Sequence, residues 1–102
     1  MSDVLESKTA SITTQRVLIE GRVQGVGYRA WVNANARKRG ISGWVRNLSD
    51  GAVEALFSGP ADVVEQLIQA CWEGPLASRV LNVTAAPSRD RVEAGFTQRP
   101  TI

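Results

Sequence analysis

The sequence predicts one α+β domain, an antiparallel sheet carrying two helices on one of its faces. Three observations carry that expectation. Four stretches alternate apolar and polar residues with the period of two that a strand requires, and two others repeat apolar residues every three to four positions, as a helix with one buried face does. The two kinds follow one another as strand, helix, strand, strand, helix, strand. The chain has 102 residues, 43% of them hydrophobic and 22% charged, which gives room for a single modest core in the ordinary globular range.

Residues 1–15, "MSDVLESKTASITTQ", are polar and without sustained periodicity, and read as a flexible N-terminal tail ahead of a domain spanning 16–102. In "RVLIEGRV" (16–23), Val17, Ile19, Gly21 and Val23 share one face and Leu18 and Glu20 the other, which is the first strand. The first helix is expected from Tyr28 to about Arg39, with Tyr28, Val32 and Ala36 at four-residue spacing and Gly40 as its stop signal. "SGWVRNL" (42–48) and "AVEALFS" (52–58) both alternate, and Ser49-Asp50-Gly51 between them is hairpin chemistry. Gly59-Pro60 opens the second helix, with Pro60 suited to its first turn, Asp62 and Glu65 near its positive end, and a stripe of Val63, Val64, Leu67, Ile68 and Cys71. Gly74-Pro75 ends it. "SRVLNVTA" (78–85) is the fourth strand, and "FTQR" (96–99) is a candidate short fifth strand before Pro100. The order βαββαβ is that of the split βαβ, ferredoxin-like sandwich, which hosts many unrelated functions and therefore names none.

Composition removes much of the usual chemistry. One cysteine and no histidine exclude an internal disulfide, a Cys/His zinc set and a histidine general base. Neither a metal nor an organic cofactor is expected. Twelve Lys and Arg against ten Asp and Glu leave a net charge of only +2, no footprint for nucleic acid, and Arg37-Lys38-Arg39 reads as a cluster favoured by the helix dipole. No run approaches the roughly 18 apolar residues of a membrane span and the start lacks a signal-peptide layout, so a cytoplasmic protein away from membranes is expected. Trp31, Trp44 and Trp72 read as packing residues, and Cys71 as a small buried hydrophobe.

The stretch that stands out is "GRVQGVGYRAW" (21–31), between the first strand and the first helix. Gly25-Val26-Gly27-Tyr28-Arg29-Ala30 satisfies the dinucleotide fingerprint G-x-G-x-x-G/A, but the hairpin that follows and the short chain do not suit a doubly wound parallel sheet. No lysine stands where a Walker loop needs one. Two readings stay open on the residues alone. One is a tight turn in which glycines permit positive φ. The other is an anion cradle, in which loop N–H groups form a concave nest and Arg29 offers a planar fork to phosphate-like oxygens. Arg in a first turn is electrostatically disfavoured unless an anion is present, which argues for the cradle.

The segment from "VLIEGRVQGVGYRAW" through "GWVRNLSDGAVEALFSGP" resembles the acylphosphatases, whose signature runs G-x-V-Q-G-V-x-[FY]-R followed by a G-W-V-x-N strand. The resemblance covers about residues 16–85. It implies a ferredoxin-like enzyme that hydrolyses the carboxyl-phosphate bond of acyl phosphates, with Arg22, Val23, Gln24, Gly25, Val26, Gly27 and Tyr28 forming the phosphate loop and Arg29 and Asn47 as catalytic residues. Tyr28 stands where phenylalanine is commoner, a small change if its hydroxyl finds a polar partner. Phosphoryl transfer asks mainly for positioning and charge stabilisation, which loop N–H groups and an arginine supply. The Asn47 amide does not titrate, so its expected role is to hold water in line with phosphorus. The expected partners are a small acyl phosphate and inorganic phosphate or another small anion, with no nucleic acid, no membrane and a monomeric chain. A phosphate- or carbamoyl-phosphate-binding module without catalysis and an RNA-binding ferredoxin-like domain are the alternatives. For the second, "AVEALFS" lacks the aromatic pattern such domains stack bases on.

Overall fold

The computed structural model describes residues 11–102, so the first ten residues of the expected tail lie outside it. Its elements are β1 (Ile12–Arg22), α1 (Tyr28–Lys38), β2 (Ser42–Asn47), β3 (Val53–Pro60), α2 (Ala61–Cys71), β4 (Arg79–Pro87) and β5 (Phe96–Arg99). The βαββαβ order holds and the fifth strand forms. The boundary at residue 16 does not, because β1 begins at Ile12 and Ile12–Gln15 pair with Phe57–Pro60 of β3. These four residues carry no apolar alternation to mark them. They are held by ladder bonds and by cross-strand contacts such as Thr14 Oγ1 to Ser58 Oγ at 2.9 Å.

The strands form one sheet in the order β4-β1-β3-β2-β5. The first four are antiparallel to their neighbours, but β5 runs parallel to β2, so the sheet is mixed rather than wholly antiparallel. The cause lies in the connection after β4. From one edge of the sheet, residues 88–95 carry the chain to the opposite edge, where it arrives running in the direction of β2. Two arginines of α1 hold this added strand, Arg37 donating to the Phe96 carbonyl at 3.1 and 3.2 Å and Arg29 to the Arg99 carbonyl at 3.3 Å. These bonds tie the added edge strand to α1.

Both helices cover the same face. Tyr28, Val32 and Ala36 of α1 and Val64, Leu67, Ile68 and Cys71 of α2 pack on Val17, Ile19, Val45, Ala55 and Phe57 of the sheet. The stripe expected on each helix is therefore the buried one, except that Val63 is only partly covered and Pro60 caps α2 from outside instead of sitting in its first turn. On the opposite face, Glu54 accepts from Arg16 and Arg46, and Asp90 of the crossing segment binds the other side of Arg16. Trp44 lies on that open face yet is only 7% exposed, because the guanidiniums of Arg46 and Arg99 stand 4.5 and 4.8 Å from its ring centroid. Trp31 is half-buried, but Trp72, just past the end of α2, is exposed and contributes little to packing.

Candidate active site

The loop between β1 and α1 is shaped by two glycines. Gly25 and Gly27 have φ of 74° and 78°, a region that residues with a Cβ seldom enter, and a Cβ at either would meet no atom within 4 Å. The requirement for glycine there is conformational, not steric. Gly27 is the N-cap of α1 and offers no side-chain cap, and the first turn holds no acidic residue. The leading N–H groups of α1, orphaned as in any helix, thus face outward with the positive end of the dipole uncompensated.

The sheet order sets a problem for the site, because β3 separates β1, which leads into the loop, from β2, which ends at Asn47. The two strands are not neighbours, and the intervening strand is what splits the βαβ unit. Gln24 closes the gap. Its side-chain Nε2 donates to the carbonyls of Leu48 at 2.8 Å and Ala52 at 2.7 Å, stitching the loop to both ends of the β2–β3 turn. The turn itself is closed by Leu48 and Ala52, with the Ala52 N–H also donating to the Asp50 carboxylate at 3.0 Å.

The result is a hollow of about 180 Å³ lined by Val23, Gln24, Gly25, Gly27, Tyr28, Arg29, Ala30, Asn47 and Gln98. It brings Arg29 and Asn47 together with most of the expected loop. Arg22 and Val26 lie outside the lining: Arg22 is the exposed last residue of β1, and Val26 turns inward against the core. Ala30 and Gln98 are additions that the sequence pattern did not single out. A larger hollow, about 360 Å³, lies on the open face between Trp44 and residues 91–95, away from the glycine loop and from every expected site residue.

Arg29 is half-buried, and among the described residues no carboxylate pairs with it; its one hydrogen bond goes to the Arg99 carbonyl. Asn47 is also half-buried. Its backbone carbonyl accepts from the Ile102 N–H at 3.2 Å, while its carboxamide has no hydrogen-bonding partner among the described residues. Both functional groups are therefore held in place by backbone contacts and left open toward the hollow.

Tyr28 turns the other way. Its ring is 1% exposed and its hydroxyl donates to the Cys71 carbonyl at 2.5 Å, taking up one of the last carbonyls of α2. That is the polar partner which makes tyrosine acceptable in place of phenylalanine. Burial, more than any neighbouring group, holds the Tyr28 hydroxyl well above its ordinary range and pushes the Cys71 thiol up to about 12. Both stay protonated near neutral pH, so neither serves as a base. Among the described residues no three His, Cys, Asp or Glu side chains cluster as a metal set, and no helix is long and apolar enough to cross a membrane.

Comparison with known proteins identifies a family. The family model described as Acylphosphatase matches residues 15–98. The chain is 47% identical to the acylphosphatase of Rhizorhabdus wittichii over 86% of its length and 89% of the relative's. It is 45% identical to that of Rhodospirillum rubrum over 87% and 98%. Among solved structures, the acylphosphatase from Coxiella burnetii superposes with a TM-score of 0.84 at 35% identity, covering 90% of this chain and 97% of that one. The Bacillus subtilis enzyme gives 0.81 at 34%, over 87% and 99%.

Proposed function

The chain belongs to the acylphosphatase family and hydrolyses the carboxyl-phosphate bond of acyl phosphates; we propose that it does so with the phosphoryl group in the 23–28 loop, Arg29 across its oxygens and a water held by Asn47. The observation that carries this assignment is the shared hollow. Among the described residues it combines an uncapped, acid-free helix start, an arginine with no carboxylate partner and a carboxamide with no hydrogen-bonding partner.

The substrate phosphoryl group enters as an anion. Loop N–H groups and the start of α1 offer it donors and partial positive charge, and the Arg29 guanidinium donates to two of its oxygens at once. These donors are fixed before the reaction, so they stabilise charge on the equatorial oxygens without reorganising. The water oxygen bonds to phosphorus, the bond from phosphorus to the acyl oxygen breaks, and its electron pair leaves on the carboxylate. A carboxylate is already a good leaving group near neutral pH and needs no proton from an acid. The proton lost by water passes to a phosphate oxygen, so the two products are the carboxylate and inorganic phosphate. Asn47 fixes where the water sits, which contributes through geometry and not through proton transfer.

The reaction on this reading uses neither a metal nor an organic cofactor, and the acting species is a single cytoplasmic chain with small-molecule partners only. The test is release of phosphate from benzoyl phosphate by the purified protein, with and without a chelator, followed by size-exclusion chromatography of the active fraction. Release unaffected by chelator and co-eluting with monomer is expected. Activity abolished by chelator sinks the metal-free mechanism, and activity confined to a larger species sinks the monomer. A lowered kcat in Asn47→Ala, with inorganic phosphate inhibiting the residual activity as strongly as it inhibits the wild type, is expected for a water-holding role. Weakened phosphate inhibition instead assigns Asn47 to anion binding.

A further inference from the structure

Gln98 enters the hollow from β5. In the parallel pairing of β2 with β5, Gly43 stands opposite Phe96 and Val45 opposite Gln98. Side chains alternate along a strand, so Gln98 shares a face with Phe96, which is 2% exposed in the core, and with Val45, which is fully buried. That face is the one the helices cover. Asn47 lies two residues beyond Val45 on the same face, so Gln98 and Asn47 are diagonal neighbours on adjacent strands, and both line the hollow beside Arg29. The stripe that begins with Phe96 in the core thus continues as a carboxamide where the core opens into the site. The Gln98 carboxamide, like that of Asn47, has no hydrogen-bonding partner among the described residues, although other side chains around it are engaged: Arg29 on Arg99, Arg37 on Phe96 and Gln24 on Leu48 and Ala52.

One acceptor cannot orient a water. A hydrogen bond to a single carboxamide oxygen fixes one O–H direction and leaves the molecule free to spin about it, sweeping its lone pairs through a cone. A second acceptor on the same side fixes the other O–H and leaves a lone pair in one direction. In-line attack needs that direction to be the phosphorus. We propose that Gln98 and Asn47 hold the attacking water jointly, each carboxamide oxygen accepting one of its hydrogens, so that Gln98 is a second positioning residue for the hydrolysis. Once the bond from water to phosphorus forms and the acyl oxygen departs with its electron pair, one of these protons passes to a phosphate oxygen. The inference rests on the water-holding role of Asn47 and extends it to a strand outside the glycine-loop and G-W-V-x-N motifs.

The test is a double-mutant cycle on the full chain, with benzoyl phosphate and acetyl phosphate as substrates and inorganic phosphate as the competing ligand. Gln98→Leu removes the carboxamide and leaves a branched apolar side chain one bond shorter. Its kcat is expected to fall about tenfold, by the same factor for both substrates, with KM and inhibition by phosphate unchanged. On an Asn47→Ala background the same substitution is expected to cost less than twofold, because the water is already released. A thermal unfolding midpoint within a few degrees of wild type accompanies both results and separates positioning from folding.

Unchanged kcat in Gln98→Leu overturns the proposal. A rise in KM, or a loss that differs between benzoyl and acetyl phosphate, also overturns it and assigns Gln98 to the acyl group of the substrate. So does a full tenfold loss on the Asn47→Ala background, which would make the two residues independent. If Asn47→Ala itself leaves kcat intact, the water-holding reading of Asn47 fails first and this one falls with it, an outcome distinct from failure of Gln98 alone.

Discussion

The two helices are each eleven residues long and lie on the same face of the sheet, yet they begin in opposite electrostatic states. Helix α2 starts after Pro60, carries Asp62 in its first turn, and gives its first N–H to the Ser11 carbonyl at 3.0 Å. Its positive end is met from within the chain. Helix α1 starts at a glycine in the left-handed region, has no acidic residue in its first turn and places Arg29 there instead. Among the described residues no carboxylate answers that charge. A helix start that is compensated internally is a structural joint, whereas one that adds positive charge to an uncompensated dipole favours an anion beside it. The same contrast separates Arg16 and Arg46, both paired with Glu54, from Arg29, which among the described residues reaches only a carbonyl.

The sharpest way to break this comparison is to remove the excess charge from α1. Arg29→Ala is expected to reduce kcat/KM for benzoyl phosphate by at least about 10²–10³-fold, as loss of a preorganised charge-stabilising donor does elsewhere. Its stability should stay close to wild type, because Arg29 contributes one long hydrogen bond to the fold. Near-normal turnover in this variant would mean that the charge at α1 is not directed at the substrate.

The next effect is on stability. Inorganic phosphate at about 100 times its dissociation constant should add roughly 2.7 kcal/mol by binding only the folded chain. Thermal melts with and without phosphate measure it, and Arg29→Ala should remove most of the shift while Asp62→Asn leaves it whole. A phosphate shift that survives Arg29→Ala would locate the anion elsewhere.

Tyr28 joins the two helices, its ring on α1 and its hydroxyl on the last carbonyl of α2. Tyr28→Phe should cost about 1 kcal/mol in denaturant unfolding, the scale of one buried hydrogen bond, with kcat unchanged because the hydroxyl points away from the hollow. The pH dependence follows from burial. In the unfolded chain the Cys71 thiol and the Tyr28 hydroxyl titrate near 9.0 and 10.0, and folding raises both, Cys71 to about 12. Above pH 9 the unfolded state therefore binds fewer protons than the folded one, so stability is full below that pH and declines as pH rises through the alkaline range. Tyr28→Phe should flatten the part of the decline that begins near pH 10.0, as chemical denaturation at several pH values would report.

The smallest effect belongs to α2. Asp62→Asn should cost about 0.3–1 kcal/mol at low salt, less at high salt, with phosphate release untouched. A loss of activity there would erase the distinction between the two helix starts.

Much of this site was legible as a linear pattern. The alternation of Val17 and Ile19, the four-residue spacing of Tyr28, Val32 and Ala36, and the Ser49-Asp50-Gly51 turn each follow from backbone periodicity or turn stereochemistry, which are local properties. The glycines that shape the loop and the arginine that follows them are contiguous, so that half of the site is contained in one stretch of chain. The start of β1 was not legible, because Ile12–Gln15 are held by pairing across β3 and not by an alternating pattern of their own. The exposure of Trp72 and the covering of Trp44 depend on which arginines and which edge come near, and sequence distance says nothing of either.

Residues 21–31 contain every feature of the proposed anion cradle, because glycine conformation, helix polarity and an adjacent arginine act over a few residues. Only the tertiary structure decided how that cradle meets Asn47 across an intervening strand, through the two bonds of Gln24, and that β5 would run parallel to β2 and bring Gln98 to the same hollow. Those facts depend on strand order and on where residues 88–95 carry the chain. Strand order is chosen by the burial of the whole sheet against two helices, a property of all the elements together that no single stretch encodes.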